Sequence, residues 1–92
     1  MHLKTIKKAL KDLIVRRIRM KISPQEIGDK QPLFGEEEGG LGLDSIEALE
    51  IIVGIESEFG VGIKEDEETI AQFYSVDTLA RLIKKLKEGQ GV

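Results

Sequence analysis

The segment from Asp44 to Gly60 constrains the fold more than any other part of the chain. Asp44 followed three residues later by Glu47 makes a capping-box signature, in which each acid can satisfy a free backbone N–H, and Gly60 provides a stop directly after Phe59. At roughly 100° per residue, Ala48, Ile51, Ile52, Ile55 and Phe59 gather on one side, enough for a core face. Ile46, Leu49 and Val53 fall on nearly the opposite side, among Glu47, Glu50 and Glu56. A helix apolar on two sides is either buried all round or presents one stripe to a partner. Glutamates beside the second stripe argue against complete burial, because charged groups are rarely buried unpaired. Any one of the three would pass as an ordinary surface residue. Three in line, framed by carboxylates, read as a partner surface: the apolar stripe supplies contact and the acids steer a basic partner.

Other helices surround this one. Leu3, Ile6, Leu10, Leu13, Ile14 and Ile18 repeat at spacings of three and four, with lysines and arginines between them, and predict a first helix over about 3–19. Ser23-Pro24-Gln25-Glu26 carries a capping serine, a proline at the first helical position and a glutamate at the third, the signature of a single turn. From Gly28 to Leu43 there is no periodicity, and the acid run Glu36-Glu37-Glu38 lies inside it. A loop of this length is functional or mobile in a small domain. A short helix is expected over about 66–73, with Phe73 and Tyr74 in the core. A last one follows Ser75 over about 76–88, its cationic end suited to the negative pole of the helix dipole. The expectation is an all-α, small four-helix bundle, residues 1–92 as a single domain, with a long loop between the first and second helices.

Charge segregates along the chain. Residues 1–21 carry +7, residues 22–78 carry −13 and residues 79–92 carry +3, which gives the formal net charge of −3. An acidic middle repels nucleic acid and attracts basic protein surfaces. The basic first helix raises the alternative of an interaction module that binds nucleic acid or an anionic membrane. Against it, few aromatics are available to stack on bases, and the helix needs its apolar face for the core. No apolar run approaches the roughly 20 residues of a membrane span, so no stable membrane insertion is expected, and the reading is a cytoplasmic monomer. The chain has no cysteine, hence no disulfide and no thiol nucleophile of its own. His2, the one histidine, stands at a fraying end. Glu65-Asp66-Glu67-Glu68 lacks the alternating ligands and central glycine of a calcium loop, so no metal site and no catalytic residue are expected.

The run Gly42-Leu43-Asp44-Ser45-Ile46-Glu47-Ala48-Leu49-Glu50 is similar to the attachment site of the acyl carrier proteins, where an Asp-Ser-Leu triplet begins the second helix. Ile55-Glu56-Ser57-Glu58-Phe59, Val61-Gly62-Ile63 and Ser75-Val76-Asp77-Thr78-Leu79 resemble later parts of the same family pattern. The resemblance covers about residues 41–86. It implies that Ser45 is esterified by 4'-phosphopantetheine, transferred from coenzyme A by a separate magnesium-dependent holo-carrier synthase. The chain would then be no enzyme but a carrier of acyl intermediates as thioesters, in fatty-acid, specialised lipid or polyketide-type biosynthesis. By the same resemblance, Asp44, Ile46, Glu47, Leu49, Glu50, Val53 and Glu56 would be recognised by basic docking patches on the synthase and on acyl-transfer, condensing or modifying enzymes. Ile52, Ile55, Phe59, Ile70 and Leu79 would be candidates to line the space for an acyl chain. A phosphodiester at a helix start suits the free N–H groups and the positive end of the dipole. The chain departs from the family pattern at Leu43, Ile46 and Lys64, in the extra Glu36-Glu37-Glu38-Gly39-Gly40 and in a slightly longer 65–74. These differences bear on the pathway rather than on the carrier chemistry.

Overall fold

The computed structural model describes residues 2–64 and 66–90. Its elements are α1 (Leu3–Ile18), a 3-10 turn (Pro24–Glu26), α2 (Ser45–Phe59), α3 (Glu67–Ala71) and α4 (Val76–Gln90). The architecture is the expected all-helical bundle, with α1 packed against both α2 and α4.

The core follows the periodicity of α1. Ile6, Leu10, Leu13 and Ile14 are fully buried and meet Ile51, Ile55 and Phe59 of α2 and Val76, Leu79, Ala80 and Ile83 of α4. The α1–α2 crossing depends on Gly54. A Cβ there would lie 3.0 Å from Leu13 Cδ2 and 3.2 Å from Arg17 Nε, so a glycine lets the two helices approach closely. Gly60 ends α2 in the left-handed conformation at φ 66°, and Lys87 Nζ of α4 donates to the Phe59 carbonyl at 3.0 Å. At the start of α4, Thr78 N donates to Ser75 Oγ (3.2 Å) and Ser75 N to Thr78 Oγ1 (3.0 Å), with Ser75 buried.

The long loop is more ordered than its lack of periodicity predicts. Leu33 N donates to the Tyr74 carbonyl (2.8 Å), Leu43 N to the Leu33 carbonyl (3.0 Å) and Gly35 N to the Leu43 carbonyl (3.1 Å), so Phe34 and Leu43 pair as an isolated parallel bridge. Leu33 and Leu43 enter the core. The acid run thus protrudes from a loop closed by backbone bonds.

Two expectations are corrected. The third helix is shorter than 66–73: Asp66 caps it by accepting from Thr69 N at 2.7 Å, and after Ala71 the chain turns toward Tyr74. Tyr74 is not a core residue. It is 45% exposed, its backbone is committed to the loop, and its hydroxyl donates to Glu37 Oε1 at 3.2 Å. No helix of the described residues is long and apolar enough to cross a membrane.

Candidate functional site

Ser45 is the first residue of α2 and is exposed. Asp44 precedes it as the N-cap, with Oδ1 accepting from Glu47 N at 2.8 Å, while Glu47 Oε1 accepts from Asp44 N at 3.0 Å. This reciprocal box fixes where the helix begins and therefore where the Ser45 hydroxyl stands. The remaining first-turn N–H groups lack intrahelical acceptors and point the positive end of the helix dipole toward the same place.

Beside the hydroxyl lies an apolar groove of about 410 Å³. Its wall is made by Phe34 and Leu43 from the loop, Ala48 and Ile52 from α2, Ile63, and Ile70 and Phe73 from the α3 region, with Asp44, Ser45 and Lys64 also in its lining. The Phe34 and Phe73 rings, both in its lining, pack against each other with centroids 6.3 Å apart and planes tilted by 41°. Of the residues expected to line an acyl space, Ile52 and Ile70 border this groove. Ile55, Phe59 and Leu79 instead belong to the buried core cluster. Ile70 is 60% exposed, so one wall is formed by a side chain with little support. Phe34, Leu43, Ile63 and Phe73 were not singled out from the sequence for this role. The only local signal was their apolar character, because the contacts that gather them span the whole loop.

The second stripe of α2 stands in solvent, with Ile46 71%, Leu49 55% and Val53 52% exposed. Its glutamates divide their duties. Glu47 serves the cap. Glu56 accepts from Ile63 N at 3.0 Å and so ties down the segment leaving α2, while Glu50 is paired with Arg17 at 3.8 Å and keeps a 55% exposed side chain. Among the described residues no group of three or more histidine, cysteine, aspartate or glutamate side chains is placed to hold a metal.

Ion pairs tie α1 to the loop and to the start of α4. Lys7 Nζ lies 2.9 Å from Asp77 Oδ1 and 3.4 Å from Asp29 Oδ2, Lys11 Nζ 2.6 Å from Asp29 Oδ1, and Arg81 Nε 3.1 Å from Asp77 Oδ2. Lys7 beside Asp77, and Lys11 beside Asp29, hold both carboxyls below their ordinary value, and Asp77 holds the Lys7 ammonium above its own.

An exposed hydroxyl at a capped helix start, opening on an apolar groove and flanked by an apolar-acidic helix face, defines a small helical carrier domain. Comparison with known proteins agrees. A family model described as the phosphopantetheine attachment site matches residues 8–86. Acyl carrier protein 4, chloroplastic, and acyl carrier protein 1, chloroplastic, both of Cuphea lanceolata, are each 41% identical over 51 residues, 55% of this chain and 35% of theirs. Acyl carrier protein 1, chloroplastic, of Casuarina glauca is 38% identical over 61 residues, 65% of this chain and 43% of that protein. The chain therefore spans less than half the length of the curated relatives it matches. It belongs to the phosphopantetheine-attachment family, that of the acyl carrier proteins, whose covalent cofactor is 4'-phosphopantetheine.

Proposed function

We propose that Ser45 is the attachment residue and that the chain carries acyl intermediates for biosynthetic enzymes without catalysing a reaction itself. The observation that carries this reading is the exposed Ser45 hydroxyl at the capped start of α2, bordering an apolar groove. The residues present suit the group. Ser45 Oγ is reachable by a modifying enzyme, and the free N–H groups of the first turn favour a phosphodiester. The apolar wall from Phe34 to Phe73 gives an acyl chain a place out of water. When attached, the cofactor supplies the terminal thiol that this cysteine-free chain lacks. In the transfer, Ser45 Oγ would form the ester bond to phosphorus while the pyrophosphate P–O bond of coenzyme A breaks, the adenosine 3',5'-bisphosphate part leaving and the serine proton passing to the modifying enzyme or solvent. Asp44 and Glu47 keep Ser45 Oγ at the helix start.

The exposed Ile46, Leu49 and Val53 with Glu50 form the docking face for enzymes with basic patches. We assign the chain to the biosynthesis of fatty acids or a specialised lipid, on the strength of acyl carrier proteins as relatives. Polyketide-type chemistry would use the same site. Those relatives are chloroplastic by name; we read this chain as acting in an aqueous compartment, the cytoplasm where no plastid is present.

The test is intact-mass analysis after incubation with coenzyme A, magnesium and a permissive synthase. The unaltered chain gains one phosphopantetheine, whereas Ser45→Ala gains none and keeps its circular dichroism. A full mass increment on the alanine variant would overturn the assignment.

A further inference from the structure

Glu56 stands where two faces of α2 meet. It lies about 20° round the helix from Leu49, in the exposed stripe, and about 40° from Ile52, in the groove. The other glutamates of α2 are committed: Glu47 to the cap, Glu50 to Arg17 and Glu58 to Arg16. Glu56 is half-buried, has no ion pair among the described residues, and accepts instead from Ile63 N at 3.0 Å. Among the described residues no backbone carbonyl accepts from Ile63 N, so this amide depends on the carboxylate.

That bond holds one end of a groove wall. Ile63 and Ile70 both line the groove, and the segment carrying them runs from buried Val61 to the end of α3. Its far end is anchored: the Gln72 carbonyl accepts from Thr78 Oγ1 at 2.6 Å, the Tyr74 carbonyl accepts from Leu33 N at 2.8 Å, and Phe73 packs on Phe34. Between Val61 and Gln72, the other hydrogen bonds of the described residues stay within the α3 turn, from Thr69 N to Asp66 Oδ1, Ile70 N to the Asp66 carbonyl, and Gln72 N to the Thr69 carbonyl. α3 buries none of its residues, so packing does not replace the missing ties.

We propose that Glu56 is the positioning residue of this wall and joins it to the docking face: its carboxylate holds Ile63, and with it Ile70, toward α2, and a cationic side chain of a docked enzyme that draws the carboxylate outward loosens the wall. The carboxylate is strong enough for the task, because a hydrogen bond to an ionised acceptor is roughly twice as strong as a neutral one. It is also the kind of group a guanidinium or ammonium competes for. Docking on Leu49 and Val53 brings such a cation beside Glu56, so contact on one face of α2 is felt on the other. The release of cargo on docking rests on the carrier function proposed above; the hold on the wall does not.

Amide hydrogen exchange of the unmodified chain tests both parts. In Glu56→Ala the amides of Ile63 and Ile70 exchange about tenfold faster, while those of Leu10 and Leu13 in α1 are unchanged. Glu56→Gln keeps an oxygen acceptor and changes them less. A permissive synthase with a basic docking patch, added to saturation without coenzyme A, speeds exchange at Ile63 and Ile70 in the unaltered chain and leaves it unchanged in Glu56→Gln, whose neutral amide does not attract the cation. Exchange at Ile63 and Ile70 that is unmoved in Glu56→Ala overturns the hold on the wall, as does a rise shared by α1. Exchange that the synthase leaves unmoved or slows in the unaltered chain overturns the link to docking. None of these measurements uses a modified serine, so a chain that accepts no phosphopantetheine sinks the carrier reading alone.

Discussion

The two sides of α1 and α2 are built to different standards. Where α1 meets α4 and the buried face of α2, side chains are fully enclosed, Gly54 lets the helices come close, and Lys7 and Lys11 are tied to Asp29 and Asp77. Where α2 meets α3 and the long loop, there is an open groove. α3 buries none of its residues, and its Ile70 stands 60% exposed at the groove's edge. The contrast teaches how so small a domain can be stable and still keep an apolar groove open on one side. Packing energy is concentrated around α1, so the wall facing Ser45 can move without unfolding the rest. Local opening is drawn from elements with few buried apolar contacts, and α3 is such an element.

Truncation on each side sharpens this comparison most. Leu13 is fully buried against Gly54, and Leu13→Ala is expected to cost about 2–5 kcal/mol, a large share of the roughly 5–15 kcal/mol that holds such a domain. Ile70→Ala removes a largely exposed side chain and is expected to change stability by no more than about 0.5 kcal/mol. Urea unfolding of both variants gives the two numbers. Similar costs at the two positions would show that α3 is as much part of the packed body as α1, and the contrast would fail.

The ion pairs should contribute less than the packing they accompany. Asp77→Asn leaves Lys7 and Arg81 without that partner and is expected to cost about 1 kcal/mol, within the range of partly exposed pairs. The pH dependence has a definite sign. Asp29 and Asp77 have folded values below the ordinary carboxylate value, so their contribution is complete above that value. It is lost as pH falls through the lowered one. Lys7 is raised, so its share is complete below the ordinary lysine value and lost only as pH rises through the raised one. Thermal melts between about pH 2 and pH 7 should fall more steeply on the acid side for the unaltered chain than for Asp77→Asn. Parallel curves would show that the pairs do not stabilise the α1–α4 side.

The same two regions differed in how far the sequence revealed them. The three-and-four spacing of α1 selected Ile6, Leu10, Leu13 and Ile14, all buried, and the box between Asp44 and Glu47 marked the start of α2. The helix read from the sequence over about 44–59 begins at Ser45, with Asp44 outside it as the cap, so the box fixes the start to within one residue; both are local patterns, set by helix geometry alone. The exposed stripe on α2 was legible for the same reason. The groove was not. Periodicity puts Ile52 and Ile55 on one apolar side, but only the position of the loop and of α3 leaves Ile52 at a groove and Ile55 in the core. Those positions depend on backbone bonds between residues far apart, such as Leu33 N to the Tyr74 carbonyl, which no local pattern encodes. Gly54 was likewise silent, since a mid-helix glycine signals a close approach only once the neighbouring helix is known.

The smallest expected effect concerns a side-chain tie between the acid loop and the region after α3. Tyr74 donates its phenolic hydrogen to Glu37, and that bond, together with the nearby negative charge, raises the Tyr74 pKa above its ordinary value of 10.0. A hydrogen bond donated by the neutral phenol is lost on ionisation, and a phenolate beside a carboxylate is disfavoured, so both causes act in the same direction. Glu37→Gln removes the charge while leaving an acceptor, and should bring the titration down only part of the way. Glu37→Ala removes both and should bring it further. Because Tyr74 is the only tyrosine and the chain has no tryptophan, ultraviolet absorbance follows this single group without interference. Both residues are exposed, so neither variant should change the melting temperature at neutral pH measurably. An unchanged titration in both variants would mean that the loop does not rest on Tyr74 in solution. The groove would then have two movable walls, the loop as well as α3, and the contrast with the α1–α4 side would be sharper than the hydrogen bond implies.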